Sequence, residues 1–270
     1  MIFWFSGVTS HRDAALLQLA GVQHVLIDTF DWPATQLDGA PKFKHLMLDS
    51  GAYRMFRREI AWDTGDHLTG LSMITGPFDH VVALDVIGNP IATRGNWEKV
   101  YRTRNDYQFM PVWQWGAPLD DLKYYLDEAP LVGVGGLVPL IRSRRKDKLS
   151  QAEARAWTQS RLKVLELLTS LAQMYPQRLH AFGLSWLEAV NQLRPYLFSA
   201  DASHWLIGRK DRMIIFQDPD SGELQEVKAK HYPYLDLADT SGDLLAVACA
   251  RALNQYCNID AYDRVVKSGG

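Results

Sequence analysis

The sequence predicts a parallel α/β barrel, and three observations carry that prediction. Eight short apolar runs recur along the chain, helix-like segments separate most of them, and three of the runs end in aspartate. Near-continuous apolar runs are expected of parallel strands covered on both faces. Eight βα repeats in 270 residues match a closed (β/α)8 barrel of ~250 residues. An open doubly wound sheet is the alternative, and the glycine-rich run LVGVGGL does not decide between them. It lacks the full GxGxxG fingerprint, and no acid follows ~20 residues on.

The elements follow in order. IFWFSG at 2–7 is the first strand, and a helical pattern runs from about 11 to 20. HVLIDT at 24–29 and HLMLDSG at 45–51 are the next strands. DWPATQLDGAP between them reads as a loop. HVVALDV at 80–86, FMPVWQWG at 109–116, LVGVGG at 131–136, LHAFGLS at 179–185 and YLFSADAS at 196–203 complete the eight. Helices are clearest at 94–107, 119–128, 151–175 and 185–194, the third through Leu162, Leu165, Leu168 and Leu171. After the last strand, RMIIFQD, a polar PDSGE turn and VKAKHYPY read as a β-hairpin, with a final helix at about 241–256. No linker or low-complexity tract divides the chain, so residues 1–270 are expected to form one domain with this small C-terminal addition.

Composition narrows the function classes. Apolar residues make up 47% and charged residues 22%, as in a soluble globular protein. With 29 basic and 31 acidic residues the chain is no polycation, so a nucleic-acid site has to be a local patch. Two patches qualify: Arg142, Arg144, Arg145 and Lys146 within IRSRRKDK, and the cluster around Arg209. Several of the nine tryptophans, Trp62, Trp97, Trp115 and Trp205, fall in expected loops where a ring could stack on a base. Cys249 and Cys257 form neither a disulfide framework nor a zinc motif, and a reducing cytoplasm is the expected compartment. The start lacks a basic n-region and no run reaches ~18 apolar residues, so neither a signal peptide nor a membrane span is expected.

Strand C-terminal ends are where α/β barrels carry chemistry. The groups expected at that rim are Asp49 and Ser50, Asp85, Gln114, the backbone of Gly135 and Gly136, Gly183 and Ser185, and Asp201, Ser203 and His204. Strand-end aspartates also cap helices, but three together point to one pocket. The set holds no metal-ligand spacing and no Walker loop, so no metal or cofactor is expected. Paired carboxylates without a metal suit glycosidic chemistry, one at the anomeric carbon and one moving a proton. A further carboxylate beside a glutamine and glycine amides suits a purine edge.

LDSGAY, VVALDV, PVWQWG, GVGGL, HAFGLS and FSADAS, in that order over about residues 45–205, resemble the queuine/archaeosine tRNA-guanine transglycosylase superfamily. The chain looks closer to the shorter DNA-guanine transglycosylases of phages and bacterial genomic islands. That resemblance implies a TIM barrel that replaces guanine in DNA with a 7-deazaguanine through a covalent aspartyl intermediate. It implies Asp201 as nucleophile and Asp49 as general acid/base. Asp85, Gln114, Gly135 and Gly136 would hold the base, with Leu137, Ser50, Ser185 and His204 counted in the substrate-binding set. Arg142, Arg144, Arg145, Lys146 and Arg209 would contact phosphates, and Trp115 or Trp205 could fill the place of a flipped-out base. Family barrels often pair, so a homodimer is an expectation of the same kind.

The chain departs from the tRNA enzymes in three places. Cys249 and Cys257 cannot supply a three-cysteine, one-histidine zinc site. Ile87 stands where those enzymes usually have a cysteine, and Ala52–Tyr53 replace the usual Gly–Phe/Tyr. These losses, with the shorter chain, favour DNA over tRNA. A tRNA enzyme, a deazaguanine nucleoside hydrolase, a non-catalytic nucleic-acid-binding barrel and an unrelated sugar-acting barrel are the alternatives.

Overall fold

The computed structural model describes residues 1–31, 43–74, 76–138 and 150–259. Its parallel sheet contains β1 (Ile2–Phe5), β2 (His24–Asp28), β3 (His45–Asp49), β4 (His80–Val82), β5 (Phe109–Met110), β6 (Val112–Gln114), β7 (Val132–Gly135), β8 (Leu179–Ala181) and β9 (Ser199–Ala202). The strand order is β5-β4-β3-β2-β1-β9-β8-β7-β6. Pro111 alone separates the two outermost segments. Proline has no N–H for a ladder, so one strand is recorded as two. The Pro111 carbonyl still accepts from the Gly133 amide at 2.8 Å, and β5 pairs with β4 while β6 pairs with β7. The ring therefore closes through Pro111, and the nine segments are the eight strands expected from the sequence.

Helices cover the outside: α1 (His11–Leu19), α2 (Ala52–Arg58), α3 (Thr64–Ser72), α4 (Pro90–Asn96), α5 (Leu119–Glu128), α6 (Gln151–Met174) and α7 (Leu187–Leu193). Their starts are written locally. Ser10 caps α1, Asn89 caps α4 with Pro90 in its first turn, and α3 and α6 open on capping boxes, Asp63 with Asp66 and Ser150 with Glu153. Along α6, Leu165, Leu168 and Leu171 are buried as the spacing predicts, whereas Leu162 is exposed. The DWPATQLDGAP segment beyond Asp31 and the basic run at 141–148 lie outside the described residues.

Two apolar clusters divide the core. Trp4, Leu26, Met47, Val82, Met110, Val112 and Leu131 fill the barrel. A larger cluster packs the opposite strand faces, among them Phe3, Phe5, Val25, Ile27 and Leu48, against the helices. Period-two alternation then fixes which neighbours point inward. Asp28 follows Leu26, Asp49 follows Met47 and Gln114 follows Val112 on the inner face. Asp201, in register with Trp4, joins them.

The expected C-terminal addition is present as a short helix α8 (Ile207–Asp211), the antiparallel hairpin β10 (Met213–Gln217) and β11 (Leu224–Lys228), and α9 (Gly242–Asn254). Leu245, Ala246, Cys249, Ala250 and Leu253 of α9 are buried, and burial pushes the Cys249 thiol up to about 12. The segment after α9 also mends a seam. The β1–β2 register is recorded only at Phe5 and Val25. Asn258 supplies the missing partners, accepting from the Phe3 amide at 2.7 Å and donating to the Phe3 carbonyl at 3.1 Å. No described helix is long and apolar enough to cross a membrane.

Candidate active site

A cavity of about 1180 Å³ opens at the C-terminal ends of the strands. Asp49, Asp85 and Asp201 all line it, with Gly135, Gly136, Gly183, Ser185, Ser203 and His204. Three residues distant in sequence thus share one pocket.

Asp85 follows β4 in a segment that α4 pins down. The Val86 amide donates to Thr93 Oγ1 at 2.8 Å, and Asn96 Nδ2 donates to the Leu84 carbonyl at 3.1 Å. Both carboxylate oxygens are occupied. Ser50 Oγ donates to Oδ1 at 3.0 Å, and Gln114 Nε2 donates to Oδ2 at 2.6 Å. Burial raises the Asp85 carboxyl to about 6, against the pull of those hydrogen bonds. Ser50 and Gln114 are buried and absent from the cavity wall, so they hold Asp85. Gly135 leaves room for this grip: a Cβ there would lie 2.7 Å from Gln114 Nε2.

Asp49 ends β3, and its Oδ1 accepts from the Ser50 amide at 2.9 Å. Burial raises its carboxyl well above the usual carboxylate range, and the charges of Asp28, Asp85 and Asp201 raise it further. Such a group is biased toward its protonated form.

Asp201 is buried at the end of β9. Its Oδ1 accepts from the Gly183 amide at 2.9 Å and lies 3.5 Å from His180 Nε2. Among the described residues no donor reaches its Oδ2. Gly183 turns with φ +67°, and a Cβ would strike Val138 Cγ2 at 2.3 Å, so this amide is presented by a residue that has to be glycine. His180 is fully buried and is oriented by Ser199 Oγ, 2.8 Å from its Nδ1.

Other expected residues fall elsewhere. Leu137 is 1% exposed and belongs to the core between strands and helices, so its side chain is no part of the cavity wall. Arg209 donates to Asp13 and Asp243, both at 2.8 Å, and does not line the cavity. Trp205 is fully buried, with Nε1 on the Ser6 carbonyl at 2.9 Å, and Trp97 is buried too. Neither ring is available for stacking, because helix packing has claimed both. Trp115 is half-buried against the core and is not a cavity residue. Arg142, Arg144, Arg145 and Lys146 lie outside the described residues. His204 lines the cavity but is held by Glu226 of the hairpin, 2.6 Å from its Nε2.

The structure adds residues that sequence reading passed over. Asp28 lines the cavity in register with Asp49, its Oδ1 on the Phe30 amide at 2.8 Å and its Oδ2 on Arg54 Nε at 2.9 Å. The signal was there: HVLID and HLMLD place an aspartate at the same step of adjacent strands. Arg161, Trp157 and Trp186 also line the cavity, and no local motif marks them. Among the described residues no group of three His, Cys, Asp or Glu side chains could hold a metal ion.

Compared with models of known protein families and with curated proteins, the chain matches none.

Proposed function

We propose that this barrel is a base-exchange transglycosylase that replaces guanine in DNA with a 7-deazaguanine. One observation carries the reading: Asp49, Asp85 and Asp201 meet in one cavity, each with different hydrogen-bond partners. Among the described residues Asp201 has an oxygen with no donor on it, Asp49 is biased toward its protonated form, and Asp85 is gripped through both oxygens.

In this reading Asp201 Oδ2 attacks C1′ of a flipped-out deoxyguanosine. The C1′–N9 bond breaks, and its electron pair leaves with guanine, which takes a proton from Asp49. The incoming 7-deazaguanine returns its N9 proton to Asp49 and displaces Asp201 from C1′. Asp85 accepts from the N1–H and amino edge of either base, while Ser50 and Gln114 keep it in place. The Gly183 amide holds Asp201 through Oδ1. The absence of zinc-ligand cysteines favours DNA over tRNA as the strand.

The test is incorporation of labelled guanine into double-stranded DNA and into bulk tRNA, with Asp201→Asn as the blank. Label in DNA that vanishes in the variant is the expected result. Label in tRNA alone would move the protein to the tRNA enzymes. A covalent DNA adduct formed by Asp201→Asn would overturn the nucleophile assignment.

A further inference from the structure

Most arginines with a visible role are paired away from the cavity: Arg12 and Arg209 with Asp243, Arg94 with Glu98 and Asp121, Arg102 with Glu128, and Arg104 with Asp106. Arg54 lines the cavity and is saturated by Asp28 and Asp31. Arg161 is different. It sits on α6 one turn after Trp157, with its guanidinium 4.5 Å from the Trp157 ring centre and 4.0 Å from that of Trp186. All three side chains line the cavity. Among the described residues no carboxylate pairs with Arg161, and its Nε and the Nε1 of Trp157 are buried donors without an acceptor. Glu188 and Glu226 act on it only from a distance. Arg57 and Lys210 also line the cavity, exposed and unpaired among the described residues.

Stacking on two indoles costs a guanidinium none of its in-plane donors. An arginine so held, half-buried and uncompensated among the described residues, lacks an oxyanion. Phosphate oxygens match its fork, and the neighbouring indoles offer faces to unstacked bases.

We propose that Arg161, braced by Trp157 and Trp186 and assisted by Lys210 and Arg57, forms a phosphodiester subsite that holds the strand next to the reacting nucleotide. The proposal rests on the transglycosylase reading for its ligand class, and it is separable from that reading by experiment. The probes are fluorescein-labelled single-stranded 12-mers of DNA and of RNA, titrated at 50 and 200 mM salt, beside free guanine followed by calorimetry. Arg161→Gln is expected to weaken oligonucleotide binding by about tenfold and to lower the salt slope by ~0.7, the value for one phosphate on a single strand. Guanine affinity is expected to stay as it was. Arg161→Lys is expected to restore the salt slope but only part of the affinity, since a point charge lacks the fork.

Unchanged oligonucleotide affinity and slope in Arg161→Gln would overturn the subsite. So would failure of the wild type to bind either 12-mer at 50 mM salt, or an equal loss of guanine affinity, which would mark a structural role. Base exchange with an intact Arg161→Gln affinity sinks the subsite alone. Arg161-dependent strand binding without base exchange sinks the transglycosylase reading alone.

Discussion

The two mouths of the barrel are built from the same strands and bury opposite kinds of titratable group, bases at one and acids at the other. β2 and β3 each run from a histidine to an aspartate, and β4 also begins with histidine. At the N-terminal mouth His24 stacks on His45 with ring centres 4.4 Å apart, and His45 Nδ1 lies 3.2 Å from Asp79. Burial and the neighbouring His45 push His24 down to about 4, and burial and His180 lower His80. Burial here favours the neutral imidazoles of His24 and His80. At the C-terminal mouth Asp28, Asp49, Asp85 and Asp201 crowd one cavity, and burial raises the first three. That end keeps groups poised to gain or lose protons. The contrast fits the general division of α/β barrels into a face for stability and a face for chemistry.

Substitutions at the two ends should therefore differ in kind. After the Asp201→Asn blank, the largest effect is expected at Asp49. Asp49→Asn should lower base exchange by ~10²–10⁴-fold, the usual weight of a general acid/base. It should also raise the melting temperature at pH 8. The folded carboxyl titrates above its unfolded counterpart, so its ionisation opposes folding as pH rises through that interval. Melts at pH 4 and pH 8, alongside the exchange assay, check both halves, and a destabilised variant at pH 8 would break the comparison.

Asp85→Asn comes next. Loss of a charged acceptor for the base edge should weaken guanine binding by ~10²-fold, at ~1.5–3 kcal/mol for a hydrogen bond to a charged group. A carboxyl raised to about 6 gives up as much as about 3 kcal/mol of stability once ionised, at ~1.4 kcal/mol for each tenfold. The variant should melt higher than wild type above pH 6 and converge with it near pH 4. Wild-type guanine affinity should likewise fall about tenfold for each pH step below 6 as Asp85 takes a proton. Calorimetric titration across pH 5–8 reads this, and a flat profile would remove Asp85 from base recognition.

The smallest effect is expected at the other mouth. The folded His24 titrates below its unfolded value, so stability present above pH 6.5 drains away as pH falls toward 4. His24→Phe should flatten that acid-side loss, with Tm at pH 4.5 a few degrees above wild type and base exchange within twofold at pH 7.5. A large loss of exchange would show that the two mouths are coupled.

The sequence by itself determined the barrel and the three aspartates that meet in its pocket. Apolar runs of strand length, capping residues such as Ser10, Asp63 and Ser150, and an aspartate at the end of a run are all local features, and periodicity projects them onto strand ends. The same logic reaches Asp28, which the HVLID pattern already contains. Tertiary structure decided everything that depends on partners far apart in the chain. Arg209 was spent on Asp13 and Asp243, 196 and 34 residues away, and Trp205 on the Ser6 carbonyl, 199 residues away. Neither commitment leaves a local mark, because an arginine paired on the outside and one open in the cavity look alike in sequence. Only packing set Arg161 against Trp186 of another helix start, and only the pairing of neighbouring strands brought Ser50 and Gln114 onto the same carboxylate. Local chemistry sets which groups reach a strand end, and the closed barrel sets which of them meet.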